Sequence, residues 1–162
     1  MKLAKVFKEN KQFTLFSILA LVVVGVAVFA PQIAPYDPLD AVMLESLQAP
    51  SSAHPFGTDK LGRDLLSRVI FGTRTSLIMT LCLVAVIFVI GTFLGVIAGY
   101  FGGIVDGVIM RIADMMISFP GLVLAIAIAG MLGPNLVNAV ISIAAVSWTK
   151  YARLARSMVL LS

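Results

Sequence analysis

The sequence predicts an all-α membrane protein with four transmembrane helices, and three observations carry that expectation. The 162-residue chain is 60% hydrophobic and 12% charged, with a mean hydropathy of +1.05. A soluble domain carries about 25% charged residues, and so small a polar complement cannot cover a soluble core of this size. Stretches without any charge recur at residues 13–30, 75–105 and 115–149. Basic residues gather at both ends of the chain.

The first element follows a head with Lys2, Lys5, Lys8 and Lys11 at every third position. Residues 13–30 then hold no charge, and 18 residues at the helical rise reach about 27 Å, the thickness of a hydrocarbon core. The basic head also suits a cleaved signal peptide, but Pro31 follows at once and the apolar run exceeds a usual signal core. A retained first span over 13–33 is the expectation.

Residues 31–58 are broken by Pro31, Pro35, Pro38, Pro50 and Pro55 and made acidic by Asp37, Asp40 and Glu45. They read as an extended aqueous segment. Over 59–71 the pattern becomes helical and two-faced, with Leu65, Leu66, Val69 and Ile70 opposite Arg63, Asp64, Ser67 and Arg68. Asp59–Arg63 and Asp64–Arg68 stand at the i,i+4 spacing that favours ion pairs. This predicts an extracytoplasmic amphipathic helix lying at the membrane interface, with Gly72 as the turn into the next span. A second span is expected over 75–99. Residues 115–149 would form a helix of roughly 50 Å if unbroken, too long for one crossing. The "LGPN" of residues 132–135 breaks it into a third span over 106–131 and a fourth over 136–156. The chain divides at about residue 73 into a tail, first span and extracytoplasmic segment (1–73) and a transmembrane core (74–162).

Positive charge near span ends favours the cytoplasm. Four spans place the lysine-rich head and the cluster of Lys150, Arg153 and Arg156 on that side together, with residues 31–73 outside. Lys60, Arg63, Arg68 and Arg74 then lie outside too, a conflict softened by their pairing with nearby acids.

Nothing resembles a catalytic set, a nucleotide loop or a metal cluster, so no enzyme, cofactor or metal role is expected. The net charge of +4 gives no reason to invoke nucleic acid. Cys82 reads as a packing residue in lipid, and His54, before a proline, as a turn or surface residue. Glycines recur every four residues at Gly91, Gly95 and Gly99, the spacing that lets another helix approach closely. Arg111 and Asp114 share a helix face and can pair, as a cavity lining or as an interfacial anchor. Pro120, flanked by Phe119 and Gly121, should kink the third span, which makes Arg111, Asp114, Phe119 and Pro120 the candidate pathway or gate residues. Tyr151, Arg153 and Arg156 are candidate contacts to a cytoplasmic partner, or a plain positive-inside anchor.

Three successive segments carry a resemblance. "HPFGTDKLGRDLLSRVIFGTRTSL" (54–77), "GYFGGIVDGVIMRIADMMISFPGLVLAIAIAGMLGPN" (99–135) and "VSWTKYARLARSMVLLS" (146–162) resemble, in this order, permease subunits of dipeptide, oligopeptide and nickel-type ABC importers. The resemblance implies an inner-membrane subunit that forms a peptide pathway with a second permease. It implies two cytoplasmic ATPase subunits that bind the ATP, and an extracytoplasmic solute-binding protein. Family members continue into a cytoplasmic coupling helix with a Glu-Ala-Ala motif and two further spans. No Glu-Ala-Ala occurs here, so the match is expected to be to the N-terminal portion of such a permease. The rival expectation is a non-transporting assembly or regulatory subunit that packs through its glycine face; a channel is a weaker third.

Overall fold

The computed structural model describes residues 10–161. Among these the chain is helical, with no strand and a single isolated bridge between Thr58 and Asp64. In chain order the helices are α1 (Lys11–Val28), the single turn α2 (Ala30–Ile33), α3 (Leu65–Phe101), α4 (Gly103–Ser118), α5 (Gly121–Leu132) and α6 (Leu136–Leu161), with a 3-10 turn at Met43–Glu45. Two compact units are present, Met1–Ile78 and Met79–Ser162.

In the first unit α1 leaves Phe16, Leu21 and Val28 exposed, as a helix solvated by lipid does. It stops at Phe29, where the following Pro31 sits in the first turn of α2. Residues 34–64 then fold back on themselves through side chains rather than through regular elements. Asp59 takes the amides of Leu61 and Arg63 at 2.8 and 3.1 Å and is clasped by the guanidinium groups of Arg63 and Arg68. The Arg63 hydrogen bond outweighs desolvation and holds this carboxyl well below its ordinary range. Gly62, at φ +74°, passes so close to Val42 that an added Cβ would lie 1.8 Å from the Val42 carbonyl oxygen; only glycine fits.

Three expectations change here. The predicted interfacial helix over 59–71 is not a separate element: residues 59–64 are turns, and helix starts at Leu65 and runs unbroken past Gly72 to Phe101. A lone glycine costs a helix only about 1 kcal/mol, too little to end one held by apolar residues on both sides. Asp59 does pair with Arg63, at 2.7 Å, but Asp64 turns away from Arg68 and toward His54. His54, expected as a turn or surface residue, does stand in a turn, its carbonyl accepting the Gly57 amide at 2.8 Å, but it is buried with 5% of its surface exposed.

In the second unit the later part of α3 packs on α6. An added Cβ at Gly91 would lie 2.6 Å from the Trp148 carbonyl oxygen, one at Gly95 would lie 2.2 Å from that of Ala152, and one at Gly99 would lie 2.9 Å from the Val159 Cβ. The three contacts advance in the same direction along both helices, so α3 and α6 run parallel, backbone against backbone. Small residues face the glycines on the α6 side, Ala152 and Ala155 among them, which is how membrane helices gain dispersion contact where no hydrophobic effect drives them together. Gly102 and Gly103, both at positive φ, turn α3 into α4.

Length and composition mark α1 and α3 as able to cross a membrane, and α4 with α5 as a third crossing if the bent pair counts as one. The predicted fourth span, 136–156, lies inside α6 but is not among them. Asn138, Lys150, Arg153 and Arg156 make α6 the most amphipathic of the long helices. The predicted third span is two helices rather than one kinked helix.

Candidate functional site at the Phe119–Pro120 break

The sequence dictates the break locally. Pro120 brings no amide hydrogen and its ring disfavours helical backbone at the residue before it. Phe119 is accordingly extended, at φ −93° and ψ 144°. The helix ends at Ser118, whose hydroxyl donates to the Met115 carbonyl at 2.6 Å and so satisfies one acceptor of the last turn. Helix resumes at Gly121, and the Leu124 amide donates to the Pro120 carbonyl at 3.1 Å. Across the interruption α4 and α5 meet at 92°.

The two arms are held to α6 in different ways. α5 and α6 form a tight antiparallel hairpin: Gly133, at φ +94°, turns the chain, the Asn135 side chain caps α6 through the Val137 amide at 2.9 Å, and Asn138 donates to the Leu132 carbonyl at 2.7 Å. Their packing is apolar and close, with Gly121 in ordinary contact with Val146. α4 is tied instead by charge. Asp106 receives the Arg156 guanidinium through two hydrogen bonds, and Asp114 receives Arg153.

Between the break and α6 lies a cavity of about 380 Å³ whose lining includes Met116, Phe119, Leu122, Val146, Ser147 and Lys150. It is apolar along most of its wall, with Ser147, Thr149 and Lys150 of α6 as its polar residues. A second recess of about 230 Å³, lined by Ile112, Met115, Met116, Phe119 and Leu124, opens beside it. Phe119 borders both. Such a space can take an apolar side chain and offer hydrogen bonds and one positive charge at its polar wall.

Of the four predicted pathway residues, Phe119 lines the cavity, and Pro120 creates it without lining it. Arg111 and Asp114 do not pair with each other: Asp114 goes to Arg153, and Arg111 is exposed on α4 away from the cavity lining. Tyr151 packs edge-on against Phe88, ring centroids 6.1 Å apart, and its Cβ faces Gly91. Thus Tyr151, Arg153 and Arg156 all make contacts within their own chain. Lys150 was grouped with the basic anchor, yet it reaches the cavity. The signal was present: Ile143, Val146 and Lys150 recur at helical spacing on one face of α6. Among the described residues no group of histidine, cysteine and carboxylate side chains could hold a metal ion.

A multi-helix chain with apolar helices long enough to cross a membrane, and a broken helix seated on an amphipathic one, has the make-up of an integral membrane protein. Residues 91–162 match the family described as the binding-protein-dependent transport system inner membrane component, and residues 2–50 match the N-terminal TM domain of oligopeptide transport permease C. Similar proteins include a probable D,D-dipeptide transport system permease protein of Escherichia coli, 41% identical over 159 residues that make 98% of this chain and 53% of that one. A dipeptide transport system permease protein of Haemophilus influenzae is 40% identical over 157 residues, 93% of this chain and 53% of that one. A nickel transport system permease protein of Escherichia coli is 40% identical over 126 residues, 78% of this chain and 46% of that one. The chain belongs to the permeases of binding-protein-dependent ABC importers. It spans about half the length of the curated relatives it matches.

Proposed function

We propose that this chain supplies one side of the translocation pathway of an ABC importer for di- or oligopeptides. A second permease forms the other side, two cytoplasmic ATPase subunits drive the cycle, and an extracytoplasmic solute-binding protein delivers the solute. The observation that carries the reading is the break at Phe119–Pro120, with its cavity against α6. Irregular backbone at membrane depth is tolerated only where it is buried in protein or lines a cavity, and ionisable residues there mark solute paths; Ser147 and Lys150 stand at this one.

The parallel packing of α3 and α6 supports a four-span topology. If α3 and α6 both cross the membrane, their parallel packing requires the chain to cross between them, so α4 and α5 act as one bent span rather than a re-entrant loop. With α1 this makes four crossings, and both chain ends lie in the cytoplasm, where their basic residues are favoured. Peptide is preferred to nickel as the solute because the cavity offers an apolar wall with a cation, which suits peptide side chains and carboxylates, and no histidine, cysteine or carboxylate lines it.

The test is uptake of a radiolabelled dipeptide and of nickel by cells that carry the assembled transporter with this permease. The reading expects ATP-dependent dipeptide uptake that is lost when the permease gene is deleted. Nickel uptake alone would overturn the peptide assignment, and unchanged uptake of both solutes after deletion would overturn the transport role.

A further inference from the structure

His54 is buried between two carboxylates that come from different parts of the first unit. Its Nδ1 is 3.0 Å from Asp64 Oδ1, at the start of α3, and its Nε2 is 3.4 Å from Glu45 Oε2, on the 3-10 turn. The Tyr36 ring covers one face at 4.9 Å, and its hydroxyl donates to the Ala53 carbonyl at 3.1 Å. Asp37 and Asp40 line the same small cavity with Glu45 and Asp64, and no lysine or arginine is part of that lining. Four carboxylates thus share one small cavity with the imidazole, two of them within reach of its nitrogens. Asp64 is fixed from its other side: its Oδ2 accepts the Ser67 amide at 2.7 Å. Burial pushes the Asp64 carboxyl up, but the Ser67 hydrogen bonds and the His54 ring outweigh it and hold the group below its ordinary range.

We propose that His54 is a proton-dependent clasp: protonated, it joins the Met43–Glu45 turn to the start of α3, and neutral, it lets that turn go. The chemistry is a donor count. An imidazolium has two N–H donors, one for each carboxylate. A neutral ring has one, and the buried, ionised Asp64 retains it. The Nε2 lone pair then faces the Glu45 carboxylate, acceptor against acceptor, with no cation lining the cavity to intervene. Glu45 is half-exposed and can turn to water at small cost. The turn is therefore held while the ring is protonated and loosens once higher pH leaves the ring neutral. The inference stands apart from the transport reading, since it concerns the first unit alone and needs no solute.

Amide hydrogen exchange on the full chain in lipid nanodiscs tests it, at about pH 5.5 and about pH 8 after correction for intrinsic rates. The reporters are the amides of Glu45, Ser46 and Leu47, which donate to Val42, Met43 and Asp59. Their protection should fall about fivefold at the higher pH, while amides within α6 stay unchanged. Glu45→Gln should remove the difference, because a neutral amide can donate to the bare Nε2 or accept from the protonated one. His54→Gln should remove it as well, and Glu45→Gln keeps the test sound if that buried substitution unfolds the segment. Equal wild-type protection at both pH values, or an undiminished pH response in Glu45→Gln, would overturn the clasp.

Discussion

Arg156 grips Asp106 from 50 residues away in the sequence, its Nε and Nη2 each donating to one carboxylate oxygen. With Arg153 on Asp114 it forms the second rung of a charged tie between α4 and α6. Removing the carboxylate with Asp106→Asn leaves a partly buried guanidinium without its counter-charge, in a helical unit that offers few other polar groups. The unfolding midpoint in detergent should fall by about 3–6 °C, and the exchange Asp106→Arg with Arg156→Asp should recover most of it. The fluorescence of Trp148, the one tryptophan, reports from α6 itself. A swap as unstable as the single change would show that the rung does not act through its charges.

The glycine face of α3 makes a sharper prediction, because it comes with a control on the neighbouring helix. At Gly95 an added Cβ would lie 2.2 Å from the Ala152 backbone oxygen and 2.8 Å from the Ala155 Cβ, so neither neighbour is a flexible tip that can swing aside. Gly95→Ala must push α3 from α6 and should cost about 1–3 kcal/mol. At Gly107 on α4 nothing lies within 4 Å of the added atom. Gly107→Ala should be neutral or stabilise by about 0.5–1 kcal/mol through helix propensity. Thermal denaturation of the two variants side by side checks the contrast.

The glycine spacing shows how much of this arrangement was legible beforehand. A period of four in an apolar run states that a close neighbour exists, but the partner helix, α6, and its direction come only from the folded chain. Pro120 likewise announced an interruption, since a missing donor and a ring clash are local facts. Its angle, 92°, was not legible, because a missing donor and a ring clash end a helix without dictating the direction in which the next one leaves. Ion pairs failed wherever local spacing competed with tertiary reach. Arg111 and Asp114 stand on one turn, yet Asp114 turns to Arg153, 39 residues on. Asp64 similarly prefers His54, ten residues earlier, to Arg68 four residues later. The merging of the predicted interfacial helix into α3 has the same root, since one glycine cannot overrule continuous hydrogen bonding.

Acid should loosen the first unit. Asp59 and Asp64 both have carboxyls depressed in the folded state, Asp59 chiefly by the Arg63 hydrogen bond and Asp64 by the Ser67 bonds against the pull of burial. A depressed group contributes stability that is complete above its unfolded value, 3.8 here, and is lost as pH falls toward the folded one. Protease nicking within residues 34–64 of the nanodisc-bound chain should therefore stay flat from about pH 5 to about pH 4 and rise below it, measured with an acid-active protease. Asp59→Asn should nick readily even at neutral pH. A cleavage profile equally flat in wild type down to about pH 2 would contradict the two depressed carboxyls.

Pro120 offers the most direct handle on the break. Pro120→Ala restores an amide donor and lifts the constraint on Phe119, so the backbone is free to carry helix from α4 into α5. Two forces then compete: continuous hydrogen bonding favours a straight rod, and the packing of α5 on α6 with the ion pairs of α4 favours the bend. Spin labels at Val108 and Ile126, both exposed, in a Cys82→Ser background report the outcome. A straight helix would separate the two backbones by about 27 Å, and the right-angled joint brings them to roughly 20 Å. Wild type should give the shorter distance, and Pro120→Ala should add a population at the longer one. Adding Asp106→Asn should enlarge that population, because it removes a rung that holds α4 down. Uptake should fall in the same order if solute passes the break. A distance distribution unmoved by either change would mean that the bend is fixed by the α5–α6 hairpin alone, and that Pro120 accommodates the angle without determining it.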